Sequence, residues 1–256
     1  MILKIKYNLL GGILFSFILA SCNTYVFVPA GSNYSIIRVD SLNAPQKDKS
    51  MEQLIAPYKN IIDKEMNLII ATSAQELKVG NPEGTLNDFI ADLILNESKI
   101  FYSKISNENI DMCILNTGGL RANLPQGNIS KRHIFELMPF ENELVVVTMN
   151  GAVVQQMSEY IAQVNGQPIS GLNISISNHH AVKILIQNQT LDLTKTYRVV
   201  TSDYLSSGGD NMTFFNSSLK TEALKVKVRD AIIMYLMNLS KDTIISVQPD
   251  NRIHNE

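Results

Sequence analysis

The sequence predicts an α+β fold, and three observations carry that prediction. Segments with apolar residues at helical spacing are interspersed with short runs that alternate in twos or are apolar throughout, so helices should cover layered sheets. Of the 256 residues 45% are hydrophobic, and once a leader is set aside roughly 230 remain, enough to bury one substantial core. Two of the predicted strands, far apart in the chain, run into a Gly-Gly pair with a charged residue just beyond, at Gly118-Gly119 and at Gly208-Gly209.

The first segment is read as a leader. Lys4 and Lys6 precede an apolar run from Leu9 to Ala20 that ends in Leu19-Ala20-Ser21-Cys22. The run is too short for a membrane span and closes on small residues before a cysteine, so residues 1–22 read as a secretory signal with a lipobox. The mature chain is expected to begin at a lipidated Cys22 and to be exported, tethered to the cell envelope as a periplasmic or outer-membrane lipoprotein. Residues 23–50 read as a linker or N-terminal extension, broken by Pro29, Gly31 and Pro45, with a short strand at Tyr25–Val28. Cys113 is then left without a partner for a disulfide, and in its apolar strand it reads as a buried small hydrophobe. A net charge of −2 and a pI near 6.1 give no basic footprint for nucleic acid.

Residues 51–256 are expected to form the folded domain. Ser50 offers an N-cap to a helix with Met51, Leu54, Ile55, Tyr58, Ile61 and Ile62 on one face, and residues 67–73 read as a strand. A helix over residues 83–101 turns Leu86, Phe89, Ile90, Leu93 and Ile94 inward; Asp88 and Asp92, four apart on it, read as solvated or capping groups. Met112–Leu115 is a buried strand. Glu143–Asn150 is another, and Asn150-Gly151 turns it into a helix over residues 151–164. Strands at Leu172–Ile176 and Ala181–Ile186 flank Asn178-His179-His180, and a strand at Tyr197–Asp203 leads into the second Gly-Gly loop. Thr221 is expected to cap a last helix over residues 222–239, and Ile244–Val247 to form an edge strand.

Chemistry concentrates between Asp111 and Asn142. The strand breaks at Asn116-Thr117-Gly118-Gly119, where two glycines let the backbone approach a ligand and free its N–H groups for an anion. Arg121 adds a forked, permanently charged donor suited to phosphate or carboxylate. Farther on, Pro139-Phe140-Glu141-Asn142 supplies a flat apolar face and an amide able to read a base edge. Taken singly these are also the marks of an ordinary turn, a surface arginine and a packed aromatic. The second loop, Ser202 to Asp210, changes the balance: Tyr204 is placed to stack opposite Phe140, and Asp210 to accept hydrogen bonds from ribose hydroxyls.

These residues carry a family resemblance. Asn116-Thr117-Gly118-Gly119-Leu120-Arg121 resembles the N-x-G-G-[IL]-R motif of the bacterial and animal 5′-nucleotidases, in their C-terminal, substrate-binding domain. Pro139–Asn142 is similar to that family's P-F-x-N, and Asp203-Tyr204 with Gly208-Gly209-Asp210 to its [DN]-[YF]-x-x-x-G-G-D. Glu83–Asp92 resembles the helix opening E-x-x-L-G-N-L-I-A-D, Gln167–Leu172 the loop whose glycine, here Gly171, lies near the base, and Arg252-Ile253 the ending. The matches are collinear from Ile61 to Ile253. The resemblance implies a layered α/β/β/α sandwich and a nucleotide or nucleoside ligand touched by Asn116, Gly118, Gly119, Arg121, Phe140, Asn142, Gly171, Tyr204 and Asp210.

Two departures matter. The bacterial enzymes carry two further phosphate-binding arginines upstream of the Glu83 helix, and counting back lands on Glu76 and Gly80, with only Lys78 basic nearby. Hydrolysis in this family also takes a two-metal site from an N-terminal metallophosphatase domain; its motifs are absent, four histidines cannot furnish the ligands, and no room precedes Glu83 for that domain. His179-His180 is expected to be an exposed turn rather than a metal site, since strand neighbours point to opposite faces. His133 is assigned to capping or packing, with the pocket mouth as its other place. The chain itself is expected to hold no metal, cofactor or catalytic residue. Three readings stay open: the substrate-recognition half of a split 5′-nucleotidase-like phosphoesterase served by a separate metallophosphatase subunit with divalent metals, a non-catalytic nucleoside- or nucleotide-binding lipoprotein, and a structural module that kept the fold and lost the pocket.

Overall fold

The structure, a computed structural model, describes residues 31, 34–38, 48–240 and 242–256. The leader, Cys22 and the Tyr25–Val28 strand lie outside the described residues. The chain divides into two units, Met1–Glu52 and Gln53–Glu256. In chain order the elements are α1 (Lys49–Met66), β1 (Ile69–Ser73), α2 (Thr85–Tyr102), β2 (Met112–Ile114), β3 (Gly127–Ser130) and α3 (Lys131–Leu137). Then come β4 (Glu143–Asn150), α4 (Gly151–Gln163), β5 (Ile169–Ser170), β6 (Leu172–Ser177), β7 (His180–Ile186) and β8 (Gln189–Thr190). The chain ends with β9 (Thr196–Ser202), α5 (Asp203–Ser206), β10 (Lys220–Lys227), α6 (Val228–Asn238), β11 (Ile244–Ile245) and β12 (Ile253–Asn255).

A five-stranded sheet, in the order β10-β4-β9-β2-β5, separates two cores. Successive residues of a strand point to opposite faces, so one apolar strand feeds both. Leu144 and Val146 of β4, Cys113 of β2 and Val200 of β9 pack with Ile90, Leu93 and Ile94 of α2 and with Ile232 and Leu236 of α6. Their neighbours Val145, Val147, Met112, Ile114 and Val199 pack on the other side with Val154, Met157 and Ile161 of α4 and with Ile174, Ile184 and Ile186 of a four-stranded sheet, β12-β6-β7-β8. This double burial explains why β4 reads as almost continuously apolar. A smaller sheet, β11-β1-β3, completes the layers, and β11 is the edge strand expected from Ile244-Ile245. The fold is α+β, with helices and stacked sheets in layers.

Three expectations are corrected. Residues 222–227 are strand, not helix: β10 pairs antiparallel with β4 through Thr221↔Val147 and Ala223↔Val145, and the helix starts only at Val228. Glu, Ala, Leu and Lys favour helix locally, yet pairing along an exposed edge of β4 overrides that weak preference. The N-cap of α1 is Asp48, whose carboxylate accepts from the Ser50 and Met51 backbone N–H groups at 2.8 and 3.3 Å, rather than Ser50. Asp88 is not solvated: it is 2% exposed and, with Asp92, faces the Arg252 guanidinium. The apolar stripe of α1 is exposed, no residue of that helix being buried; Asp63 and Glu65 tie its end to Arg132 and Lys131 at the start of α3.

Candidate nucleotide-binding site

A cavity of about 380 Å³ opens where β2, β9 and the start of α6 meet. That volume lies within the roughly 300–1,000 Å³ typical of small-molecule sites. Its walls include eight of the nine binding residues named from the sequence: Asn116, Gly118, Gly119, Arg121, Phe140, Asn142, Tyr204 and Asp210.

The elements explain why these side chains converge. At the end of β2 the chain enters a single 3₁₀ turn, Thr117–Gly119, closed by the Leu120 N–H on the Thr117 carbonyl. The Asn116 amide folds back over this turn, and a Cβ on Gly119 would stand 2.7 Å from its Oδ1, so a side chain there would push the Asn116 amide aside. Asn116 Nδ2 then donates to Asp210 Oδ2 at 2.6 Å, joining residues 94 positions apart. Thr117 is anchored from behind, where Gln167 Oε1 accepts from its N–H at 2.7 Å.

Asp210 is the centre of the second loop. Its backbone is left-handed (φ 50°, ψ 32°), a conformation aspartate tolerates better than most residues. The Tyr204 hydroxyl donates to Asp210 Oδ1 at 2.8 Å, and the Tyr160 hydroxyl to the Asp210 carbonyl at 2.8 Å. Gly209 lies under the Tyr204 ring so closely that an added Cβ would be 2.5 Å from it. The tyrosine is thus propped in place with 47% of its surface exposed, while Phe140 is 39% exposed. Large aromatic rings left so open while lining a concave wall are suited to receive a flat ligand.

Phe140 is held through Arg229. This buried guanidinium donates to the Met138 and Phe140 carbonyls at 3.4 and 3.2 Å, lies 4.3 Å over the Phe135 ring, and pairs with Glu141. The Val228 N–H, opening α6, donates to the Asn142 carbonyl at 2.9 Å. Together these bonds fix the corner that carries both Phe140 and Asn142. Arg229 and, after it, Lys227 hold the exposed Glu141 carboxyl down at about 2. Arg121 is different. It is exposed, donates only to the Gly118 carbonyl at 3.4 Å, and among the described residues meets no carboxylate.

Residues 67–217 match the family model of the 5′-nucleotidase C-terminal domain. The chain belongs to this family. It is 25% identical over 246 residues to an apyrase of Tabanus yao, covering 84% of this chain and 44% of that protein. It is 25% identical over 177 residues to a 5′-nucleotidase of Vibrio parahaemolyticus, covering 64% and 29%. The 5′-nucleotidase precursor of Thermus thermophilus shares its fold with a TM-score of 0.68 at 21% identity, over 80% of this chain and 42% of that one. The chain therefore spans less than half the length of these relatives.

Not every family-derived expectation enters the 5′-nucleotidase-like cavity. Gly171 does not line it: it turns β5 into β6 with φ +74°, its Cα backed against the Asp111 carbonyl, where a Cβ would come to 2.3 Å. Gly80 packs so tightly on Glu83 that a Cβ would meet its carbonyl at 2.4 Å, and Glu76 pairs with Lys78 at 3.0 Å. Neither position adds a cation. His133 caps α3, its Nδ1 accepting from the Ser130 N–H at 3.1 Å, and is not at the cavity mouth. His179 sits in the exposed β6–β7 turn with Asn178, and His180, exposed at the start of β7, pairs with Glu159. Cys113 is fully buried, and burial pushes its thiol well above the usual range. Leu115, Met138, Ser202 and Val228 also line the cavity; the sequence marked Leu115 as the end of a buried strand and Ser202 as the start of the second loop, while Met138 and Val228 carried no sequence signal for the site.

Proposed function

We propose that this chain is the substrate-recognition half of a 5′-nucleotidase-like phosphoesterase, binding the nucleotide while a separate metallophosphatase chain supplies divalent metals and hydrolysis. The observation that carries this reading is the convergence, in one cavity, of two half-exposed aromatic rings with an unpaired guanidinium. A base would stack between Phe140 and Tyr204 with Asn142 at its edge. Arg121 would hold the phosphate and Asn116 the substrate's polar groups. Asp210 uses one lone pair of each carboxylate oxygen on Asn116 and Tyr204 and keeps the others for ribose hydroxyls. A lipid on Cys22 would place this function at the cell envelope.

The test adds to the purified protein a metallophosphatase encoded beside it, with divalent metal, and follows phosphate release from AMP. Hydrolysis by the mixture and by neither chain alone is the expected result. AMP binding without hydrolysis would replace the split-enzyme reading with that of a nucleotide-binding lipoprotein, and absence of binding would overturn both.

A further inference from the structure

A second charged cluster lies away from the nucleotide cavity, where the C-terminal segment crosses the start of α2. Three carboxylates, Asp88, Asp92 and Asp250, surround one guanidinium, Arg252, and a fourth, Glu83, adjoins Asp88 and Asp250. The guanidinium forks onto Asp92 through Nη1 and Nη2 at 2.7 and 3.0 Å, and its Nε and Nη2 hold Asp250 at 2.9 Å each. It reaches Asp88 Oδ1 only at 3.6 Å. Asp88 is 2% exposed, and its Oδ2 is buried with no hydrogen-bond partner among the described residues. An ionised, unsatisfied carboxylate in such a place is costly. Burial first, and then the Glu83 carboxyl beside it, push Asp88 up to about 8.

The geometry favours a metal ion. One oxygen from each of Glu83, Asp88 and Asp250 lies within 4.8 Å of the other two. Calcium binds oxygens at about 2.3–2.6 Å, so ligands on opposite sides of one ion stand up to roughly 5 Å apart. The loop that presents Glu83 is rigidly built: the Asn87 amide donates to the Gly80 carbonyl at 3.0 Å and accepts from its N–H at 3.3 Å, and the Asp250 N–H donates to Glu83 Oε1 at 2.8 Å. Asp88 Oδ2, buried and without a donor, faces the Glu83 carboxyl across the space an ion would fill. We propose that Glu83, Asp88 and Asp250 bind one divalent cation of the calcium class, which fastens the C-terminal segment to the first turn of α2.

The experiment titrates CaCl₂, with MgCl₂ as the comparison, into the purified full chain stripped of metal, by calorimetry and by thermal melts. One site is expected, with Kd between about 10 µM and 1 mM, and a melting-temperature rise of roughly 5–10 °C at a hundredfold excess over Kd. Asp88→Asn and Glu83→Gln should each weaken calcium binding at least about tenfold; Glu83 is only half-buried, so the second variant reports even if the first folds poorly. Absence of calcium heat up to about 10 mM, or an undiminished response in Glu83→Gln, would overturn the proposal. Equal binding of magnesium would overturn the choice of the larger ion.

Discussion

Arg121→Ala should weaken AMP while sparing adenosine. In the free protein the guanidinium is exposed and bound only to the Gly118 carbonyl at 3.4 Å, so its removal uncovers no buried group and leaves no carboxylate unpaired. What is lost is the charge-assisted contact to phosphate, about 1.5–3 kcal/mol, or roughly 10- to 150-fold in Kd. The positions that would share the load, Glu76 and Gly80, carry no positive charge, so nothing compensates. Adenosine, with no phosphate, should keep its affinity within about twofold, and the melting temperature should move by little more than about 1 °C. Arg121→Lys should recover only part of the loss, since an ammonium lacks the planar fork. Calorimetric titration of both ligands into each variant measures this. Equal weakening of AMP and adenosine, or no weakening of AMP, would refute the assignment of Arg121 to phosphate.

Gly209→Ala puts a methyl group 2.5 Å from the Tyr204 ring; the ring should swing away, and AMP and adenosine affinities should fall together by about tenfold, as read by calorimetry. Arg229→Ala leaves the Met138 and Phe140 carbonyls without their donor and should cost about 1–3 kcal/mol of stability, seen in denaturant unfolding, with weaker nucleotide binding because Phe140 loses its support. Glu141 sits well below its ordinary value near 4.5, at about 2. The folded state therefore binds fewer protons than the unfolded chain between those values, and the stability this carboxylate contributes is full above that window and lost as pH falls through it. Melting temperatures of wild type and Glu141→Gln should accordingly converge between about pH 5 and about pH 2.5; a constant difference would count against the pairing with Arg229 and Lys227.

The site was legible because its motifs are short and sit at strand ends. Asn116 through Arg121 is one turn, and Phe140 and Asn142 share one corner, so local chemistry marked them without knowledge of the fold. What holds them was not legible. Arg229 meets Glu141 across 88 residues of chain and Arg252 meets Asp92 across 160, distances over which no periodicity speaks. Asp88 and Asp92 at helical spacing look the same whether they face water or a guanidinium; only the return of the C-terminal segment makes them buried partners. The β10 strand failed for a related reason, since its pairing with β4 outweighs a helix-favouring composition. Gly171 was carried by family likeness alone, and here its backbone serves the β5–β6 turn.

The most direct measurement is an experimental structure of the protein with AMP bound. The account predicts the base lying between Phe140 and Tyr204, Asn142 at its edge, the ribose hydroxyls on Asp210 and the phosphate against Arg121. A base seated elsewhere, or rings that close on each other and exclude it, would contradict the account.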